Sequence, residues 1–127
     1  MSATSQHSVL ALCALVAFAA PSAASADCRW SRFHFKFGSD VPAMATADSG
    51  QPCLLRVTEG RNSEFTSFTV SQPPAHGHVT VGKDVWDAWI YTSAAGFHGT
   101  DTFVGTVVGK GKDFSGTSNI TVTVYVQ

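Results

Sequence analysis

Three histidines are the best candidates for a metal site in this sequence. His76 and His78 lie in or just after one turn, and His98 lies in a later loop. If the strands alternate in direction, both turns meet at one end of the domain, where two or three imidazoles could bind Zn²⁺ or Cu²⁺. The alternative is that each histidine occupies a turn position that accepts any polar side chain. We favour this alternative and predict no metal or other cofactor.

Carboxylates are too dispersed to predict a calcium site. Ca²⁺ requires several carboxylate and carbonyl oxygens at one place. Asp84, Asp87, Asp101 and Asp113 are separated along the chain, and two of them neighbour a lysine. We therefore interpret Asp101 as a structural residue rather than a metal ligand.

No combination of residues predicts catalysis. A covalent mechanism needs a nucleophile beside a base, and acid–base chemistry commonly uses a carboxylate pair in a cleft. Ser115 lies in a glycine-rich segment without the G-x-S-x-G elbow of hydrolases, and Glu59 and Glu64 flank a turn. We predict that the protein is not an enzyme.

The first 26 residues predict an export signal. They contain no Asp, Glu, Lys or Arg, and the apolar run from Val9 to Ala20 is too short to span a bilayer. Ala24-Ser25-Ala26 matches a small-residue cleavage site. We expect cleavage before Asp27 and a mature domain, residues 27–127, that is periplasmic or secreted. A retained membrane anchor is the alternative, since the segment lacks the usual Lys or Arg.

Two cysteines remain after this cleavage and predict a disulfide. Cys13 lies within the signal, whereas Cys28 and Cys53 form an even pair in an oxidising compartment. Their wide separation argues against a two-cysteine metal or redox site. Closing a loop of about 25 residues stabilises a domain by roughly 3 kcal/mol in the loop-entropy account.

The charge of the chain excludes two classes of partner. Eight basic and nine acidic side chains give a formal net charge of −1, and the basic ones are scattered. Neither a nucleic-acid surface nor a polybasic membrane patch is therefore predicted.

Short β-branched and aromatic runs, separated by Gly, Pro, Asn and Asp, predict an all-β fold. In segment 29–37, Phe33, Phe35 and Phe37 alternate with polar residues, which predicts a half-buried strand. The other predicted strands are 53–58, 65–71, 79–81, 86–92, 102–108 and 118–126, with a short edge strand at 43–47, a turn at 73–77 and a flexible hairpin at 109–116. In the last strand Ile120, Val122, Val124 and Val126 are expected to point inward.

Two tryptophans are candidates for an exposed binding face. Trp86 falls on the strand side opposite Trp89 and Tyr91, and Trp30 lies beside Arg32. The alternative, which we favour, is that Trp86 caps one end of the core and Trp30 covers the disulfide.

Four motifs in the C-terminal half share the order and spacing of a known repeat. They are Pro74–Val79 (P-x-x-G-x-V), Tyr91-Thr92, Gly96–Phe103 (G-F-x-G-x-D-x-F) and the alternating Thr121–Val124. Over residues 73–126 the sequence resembles the bacterial immunoglobulin-like, cadherin-like modules found in tandem in large surface proteins. The resemblance implies an immunoglobulin-like antiparallel β-sandwich of about seven strands. The first half looks more like the free-standing, single-domain secreted versions.

The motif residues have predictable physical roles. Gly77 and Gly99 allow tight backbone paths, and Phe97 and Phe103 are expected to fill one end of the sandwich. The motif position of Tyr91 implies a core residue. Asp101 is expected to accept hydrogen bonds from loop amides where its strand begins.

Three departures from the repeat affect the interpretation. Ser93 replaces a usual proline, and Gly105 replaces a usual aromatic residue, which leaves room for Trp86 or Trp89 to lie over the strand. The hairpin has Lys110 and Lys112 beside one acidic residue, Asp113, whereas calcium-binding relatives are acidic there.

Two functions remain open from the sequence. The first is a non-enzymatic envelope or secreted module that acts in cell adhesion or protein contact through strand edges and end loops. The second is a periplasmic metal- or small-ligand-binding domain that uses the three histidines or Trp86.

Overall fold

Alternating apolar and polar side chains produce an all-β fold. The computed structural model describes residues 28–31, 34–57, 63–82 and 88–127. The strands found there are β1 (Arg29–Trp30), β2 (Val41–Ala47), β3 (Cys53–Arg56), β4 (Glu64–Gln72), β5 (Gly77–Val81), β6 (Ala88–Ser93), β7 (Gly99–Lys110) and β8 (Ser115–Val126). No helix that could cross a membrane occurs within these ranges. The predicted export signal, residues 1–26, lies outside them.

The strands form two sheets that enclose one core. The larger sheet has the order β1-β2-β8-β7-β4, and the smaller has the order β3-β6-β5. The pairings between these strands are antiparallel with one exception: β2 runs parallel to β8 over its whole length. The immunoglobulin-like sandwich is therefore confirmed, with one parallel pair in it.

Inward side chains from both sheets fill the core. The four predicted inward residues of β8 are all buried, together with Phe103 and Val107 of β7. From the smaller sheet, Trp89 and Tyr91 of β6 and Leu55 of β3 have no exposed surface. The period-two alternation thus predicted correctly which face of β8 is buried.

The predicted strand at 29–37 is wrong for residues 34–37, while Arg32 and Phe33 lie outside the described residues. Arg29 and Trp30 pair with β2, but residues 34–40 form no strand. Phe35 and Phe37 are nevertheless buried, and their rings pack edge to face with centroids 5.5 Å apart. Alternation in this segment therefore marks burial without sheet pairing.

A buried serine hydroxyl makes two hydrogen bonds to the backbone of this segment, in place of a neighbouring strand. The Ser118 hydroxyl donates to the Lys36 carbonyl, and it accepts a hydrogen bond from the Gly38 amide. Gly38 has a φ of 93°, a left-handed conformation that suits glycine and turns the chain toward β2. Backbone groups satisfied in this way need no neighbouring strand.

The strand predicted at 43–47 is not an edge strand. β2 extends over Val41–Ala47 and lies between β1 and β8. Its inward residues Ala43, Ala45 and Ala47 are buried opposite the valines of β8. Small side chains gave a weak local signal, because their burial depends on a long-range parallel pairing.

The predicted hairpin at 109–116 is shorter than expected. β7 and β8 continue their pairing to Lys110 and Ser115, so only the four residues between them form the turn. Gly109 lies in the ladder opposite Gly116, and only glycine fits there, because a Cβ would lie 2.4 Å from the Glu64 carbonyl oxygen and 2.7 Å from the Phe37 ring.

Candidate functional site

Asp101 organises the end of the sandwich that contains the motif residues. Its side chain is 3% exposed. One carboxylate oxygen accepts hydrogen bonds from the amides of Ala75 and Thr102, at 3.1 and 3.0 Å. The other accepts from the His76 amide at 3.2 Å and from the Tyr91 hydroxyl at 2.8 Å. The carboxylate thereby ties the 73–76 turn to β6 and β7, as the sequence predicted for loop amides.

Burial and hydrogen bonding perturb the phenol beside this carboxylate. Tyr91 has no exposed surface and stacks on Phe103 with ring centroids 6.2 Å apart. Desolvation, together with the hydrogen bond to Asp101 and its negative charge, raises the pKa of Tyr91 well above its usual value near 10. The phenol therefore serves as a neutral hydrogen-bond donor.

Two glycines allow the close approach that this end requires. A Cβ at Gly77 would lie 2.5 Å from the Thr92 carbonyl oxygen of the paired strand β6. Gly99 begins β7 with a φ of 145°, which other residues rarely adopt. Gly77 and Gly99 thus bring the 73–76 turn and the start of β7 together around Asp101.

The structure brings the two histidine-containing loops to the same end. The Ala94 amide donates to the His76 carbonyl at 2.8 Å, so the 73–76 turn contacts the 94–98 loop. The His76 ring stacks on Phe97, with centroids 4.3 Å apart and planes 7° apart. His78 and His98 are exposed nearby in the chain.

These histidines do not form a set of metal ligands. Within the part of the chain that the structure describes, no group of three or more His, Cys, Asp or Glu side chains could hold a metal ion. His76 instead makes a stacking contact, and Phe97 is only partly buried beneath it. The contacts that the structure shows at this end are hydrogen bonds and one ring stack.

A disulfide joins the two sheets near the start of the described chain. Cys28 and Cys53 are bonded, with their Cα atoms 5.3 Å apart. Cys28 precedes β1 of the larger sheet, and Cys53 begins β3 of the smaller one. The predicted pairing is confirmed, and it leaves neither thiol available for chemistry.

Gly105, which stands where the repeat usually has an aromatic residue, leaves room for Trp89 as predicted. The Trp89 ring lies so close to Gly105 that a Cβ there would be 2.0 Å from it. The indole N–H of Trp89 donates to the Thr69 carbonyl at 3.1 Å, and its ring stacks on Phe68. Trp89 is thus a core residue. Trp86, the other tryptophan considered for this position and for a binding face, lies outside the described residues.

The lysine-containing hairpin at the opposite end has no acidic cluster. Lys110 pairs with Glu64 at 3.4 Å, while Lys112 and Asp113 are exposed. Phe114 is 45% exposed, and the Lys36 ammonium lies 4.6 Å from its ring centroid. The tip of the hairpin is therefore largely exposed to solvent.

Trp30 lines a shallow depression on the outer face of the larger sheet. The depression has a volume of about 220 Å³, and Met44, Thr46 and Tyr125 also line it. Met44 is 50% exposed and Tyr125 is 44% exposed. Trp30 itself is partly buried and packs against the core.

The outer face of β2, β7 and β8 was not predicted from the sequence. Outward positions there are rich in threonine, including Thr100 and Thr102 of β7 and Thr121 and Thr123 of β8. The alternation of threonine with valine was visible in the sequence. It pointed to this face only once the strand order placed these residues side by side.

Comparison with known proteins agrees with this architecture. Residues 39–125 match the model of the family described as bacterial Ig domain. No curated protein matches the chain.

Solved structures show partial likeness at low sequence identity. A sialyltransferase from Photobacterium damsela is 16% identical with a TM-score of 0.39, and the match covers 69% of this chain and 18% of that one. An endo-fucoidan hydrolase of glycoside hydrolase family 107 is 18% identical with a TM-score of 0.41, and the match covers 80% and 17%. The chain thus spans less than a fifth of either structure.

Proposed function

The chain belongs to the bacterial Ig domain family, and on that basis we propose that it is a non-enzymatic module acting in adhesion or protein contact at the cell envelope. One observation carries the proposal: the chemically capable groups around Asp101 are occupied within the fold. The carboxylate accepts four hydrogen bonds, the Tyr91 phenol donates one of them, and His76 stacks on Phe97. Such a site holds loops in place and presents a rigid surface.

Strand edges and end loops are the surfaces available for contact. β4 pairs only with β7, and β5 pairs only with β6, so each has one free edge within the described sheets. Two register shifts interrupt β4, and such bulges discourage unspecific strand pairing. The domain can therefore meet a partner without joining its sheet.

The disulfide supports the proposed location. Disulfides persist in oxidising compartments, and Cys28–Cys53 joins the two sheets of this domain. Together with the signal-like residues 1–26, it favours export to the periplasm or the exterior. Fractionation and intact mass of the exported protein test this: a mass that begins at Asp27 is expected, and a cytoplasmic, uncleaved chain would refute it.

The contact function is tested by covalent capture. Full-length protein carrying a photo-crosslinker at exposed Thr80 of β5, or at Phe114 in the hairpin, is expressed in cells and irradiated. We expect discrete adducts with an envelope component. The matched control places the crosslinker at buried Val107, where only intramolecular products should form. Absence of adducts from both exposed positions and from the end loops would contradict the proposal.

A second candidate is metal or small-ligand binding by the end-loop histidines. The contact between the 73–76 turn and the 94–98 loop favours it, because it places His76 and His98 at one end. A metal at 100 times its Kd would stabilise the fold by about 2.7 kcal/mol. Thermal melts of wild type and the His76, His78 and His98 triple alanine variant, with Zn²⁺, Cu²⁺ or chelator, decide between the two. We expect no metal-dependent shift, and a shift in wild type alone would favour the second candidate.

A further inference from the structure

The outward side chains of β2, β7 and β8 form an ordered, uncharged surface, which we call the threonine face. Strand register aligns them in rows across the sheet. The three rows that include β2 are Thr46–Tyr125–Thr100, Met44–Thr123–Thr102 and Pro42–Thr121–Val104, and the rows beyond are Asn119–Thr106 and Thr117–Val108. At about 4.8 Å between strands and 3.3 Å per residue, this face is roughly 10 Å wide and 26 Å long.

Among the described residues, most threonine hydroxyls of this face have no hydrogen-bond partner. The Thr106 hydroxyl bonds to Asn119 and to Ser71 of β4, whereas the hydroxyls of the other threonines make no hydrogen bond to the described part of the chain. Each of these hydroxyls can donate and accept, and each is accompanied by a methyl group. The face therefore offers a regular array of mixed polar and apolar contacts.

Charge on and around this face is balanced. None of the side chains in its rows is ionisable at neutral pH. Arg29 and Asp40 flank it at one side, and Lys110, paired with Glu64, lies at its far end. These two positive and two negative charges cancel. Electrostatic complementarity thus favours an uncharged partner over an anionic polymer, which would require a basic face.

A shallow depression continues from the first rows of this face. Tyr125, Met44 and Thr46 belong to the rows and also line the depression. The Tyr125 ring is 44% exposed, and a partly exposed amphipathic ring suits a ligand with an apolar face and a polar edge. A sugar ring has this character, because its C–H groups form a face and its hydroxyls form the rim.

We propose that the threonine face binds an uncharged polysaccharide, with one sugar ring in the depression at Tyr125 and the chain running along β7 and β8. This inference rests on the proposed contact function and names the surface and the partner. A second copy of the domain fits less well. At these dimensions the face covers at most about 260 Å², whereas a standard protein interface buries about 800 Å² on each partner.

Depletion from solution by insoluble polysaccharides tests the proposal. Wild-type protein is mixed with cellulose, chitin or a β-1,3-glucan, and with an alginate gel as the anionic control. We expect binding to at least one uncharged polymer and weaker retention on alginate. Lysine in place of Thr121 should weaken that binding by roughly tenfold or more, because contact would desolvate an ammonium group.

Matched variants separate binding from folding. L54K places the same lysine at an exposed position of β3 in the other sheet and should leave the affinity unchanged. Y125A should weaken binding, whereas Y125F, which keeps the ring, should retain most of it. Thermal melts of each variant verify that the domain is folded.

Three results would overturn the inference. They are no depletion of wild type by any of the three uncharged polymers, equal losses in L54K and T121K, or a wild-type dimer that T121K dissociates. If envelope adducts still form at the other surfaces, only this inference fails. If no adduct forms either, the proposed contact function fails with it.

Discussion

Replacing Asp101 by alanine removes the acceptor from four hydrogen bonds at once. The amides of Ala75 and His76 belong to an exposed turn and can bind water in the variant. The Tyr91 hydroxyl has no exposed surface and cannot. A hydrogen bond to a charged group contributes about 1.5–3 kcal/mol, so counting Tyr91 fully and the amides partially gives a loss of roughly 3–4 kcal/mol.

Urea unfolding of wild type and D101A measures this loss. Domains of this size are stable by about 5–15 kcal/mol, so the variant should remain folded but with a much lower midpoint. The control D113A removes an exposed hairpin carboxylate and should change the free energy of unfolding by less than about 0.5 kcal/mol. A D101A loss no larger than that of D113A would refute the reasoning.

A double-mutant cycle with Y91F tests whether the buried Tyr91 hydroxyl, left without its acceptor, causes the loss of stability in D101A. In wild type, Y91F removes one donor from Asp101; in D101A, it removes a buried hydroxyl that has already lost its acceptor. We therefore expect a coupling energy of at least about 1 kcal/mol between the two sites. The melting temperature of wild type should be the same with calcium and with chelator. A calcium-dependent rise absent from D101A would instead make Asp101 a ligand.

Three further predictions concern the core. Folding raises the pKa of Tyr91, so the stabilising contribution of the neutral phenol is complete below a pH of about 10. Above that pH the free energy of unfolding should fall by up to about 1.4 kcal/mol per pH unit. Y91F should flatten this alkaline decline in urea titrations. C28A/C53A should lower the free energy of unfolding by about 3 kcal/mol, and a change under half of that would contradict the loop-entropy account. G105A should lower the free energy of unfolding by roughly 1–3 kcal/mol or more, because the added methyl group overpacks against Trp89. Adding W89F to G105A should restore part of this loss. If it restores none, Trp89 is not the residue that clashes with the methyl group.

Local sequence patterns determined the strand faces and the identity of the structural residues. Alternation predicted the buried side of β8, and the even cysteine pair predicted the disulfide, because both signals depend on residue type and short spacing. The G-x-D-x-F motif likewise identified Asp101 as an acceptor for loop amides. Its bond to Tyr91, which raises the phenol pKa, appeared only in three dimensions.

Strand partners were decided by the tertiary structure. β2 was predicted as an edge strand, since its alanines give little local signal, and its parallel place beside β8 depends on residues nearly eighty positions away. Phe35 and Phe37 alternate like a strand but are buried without a ladder, because Ser118 satisfies the backbone there.

The same dependence on long-range pairing explains why the threonine face was missed. Each strand by itself shows only polar residues that point away from the core, and such residues are expected on any solvated face. The strand order and register placed β2, β8 and β7 side by side and aligned their hydroxyls in rows. A sequence determines which side chains point outward, whereas a surface that can bind a ligand requires knowing which outward side chains are neighbours.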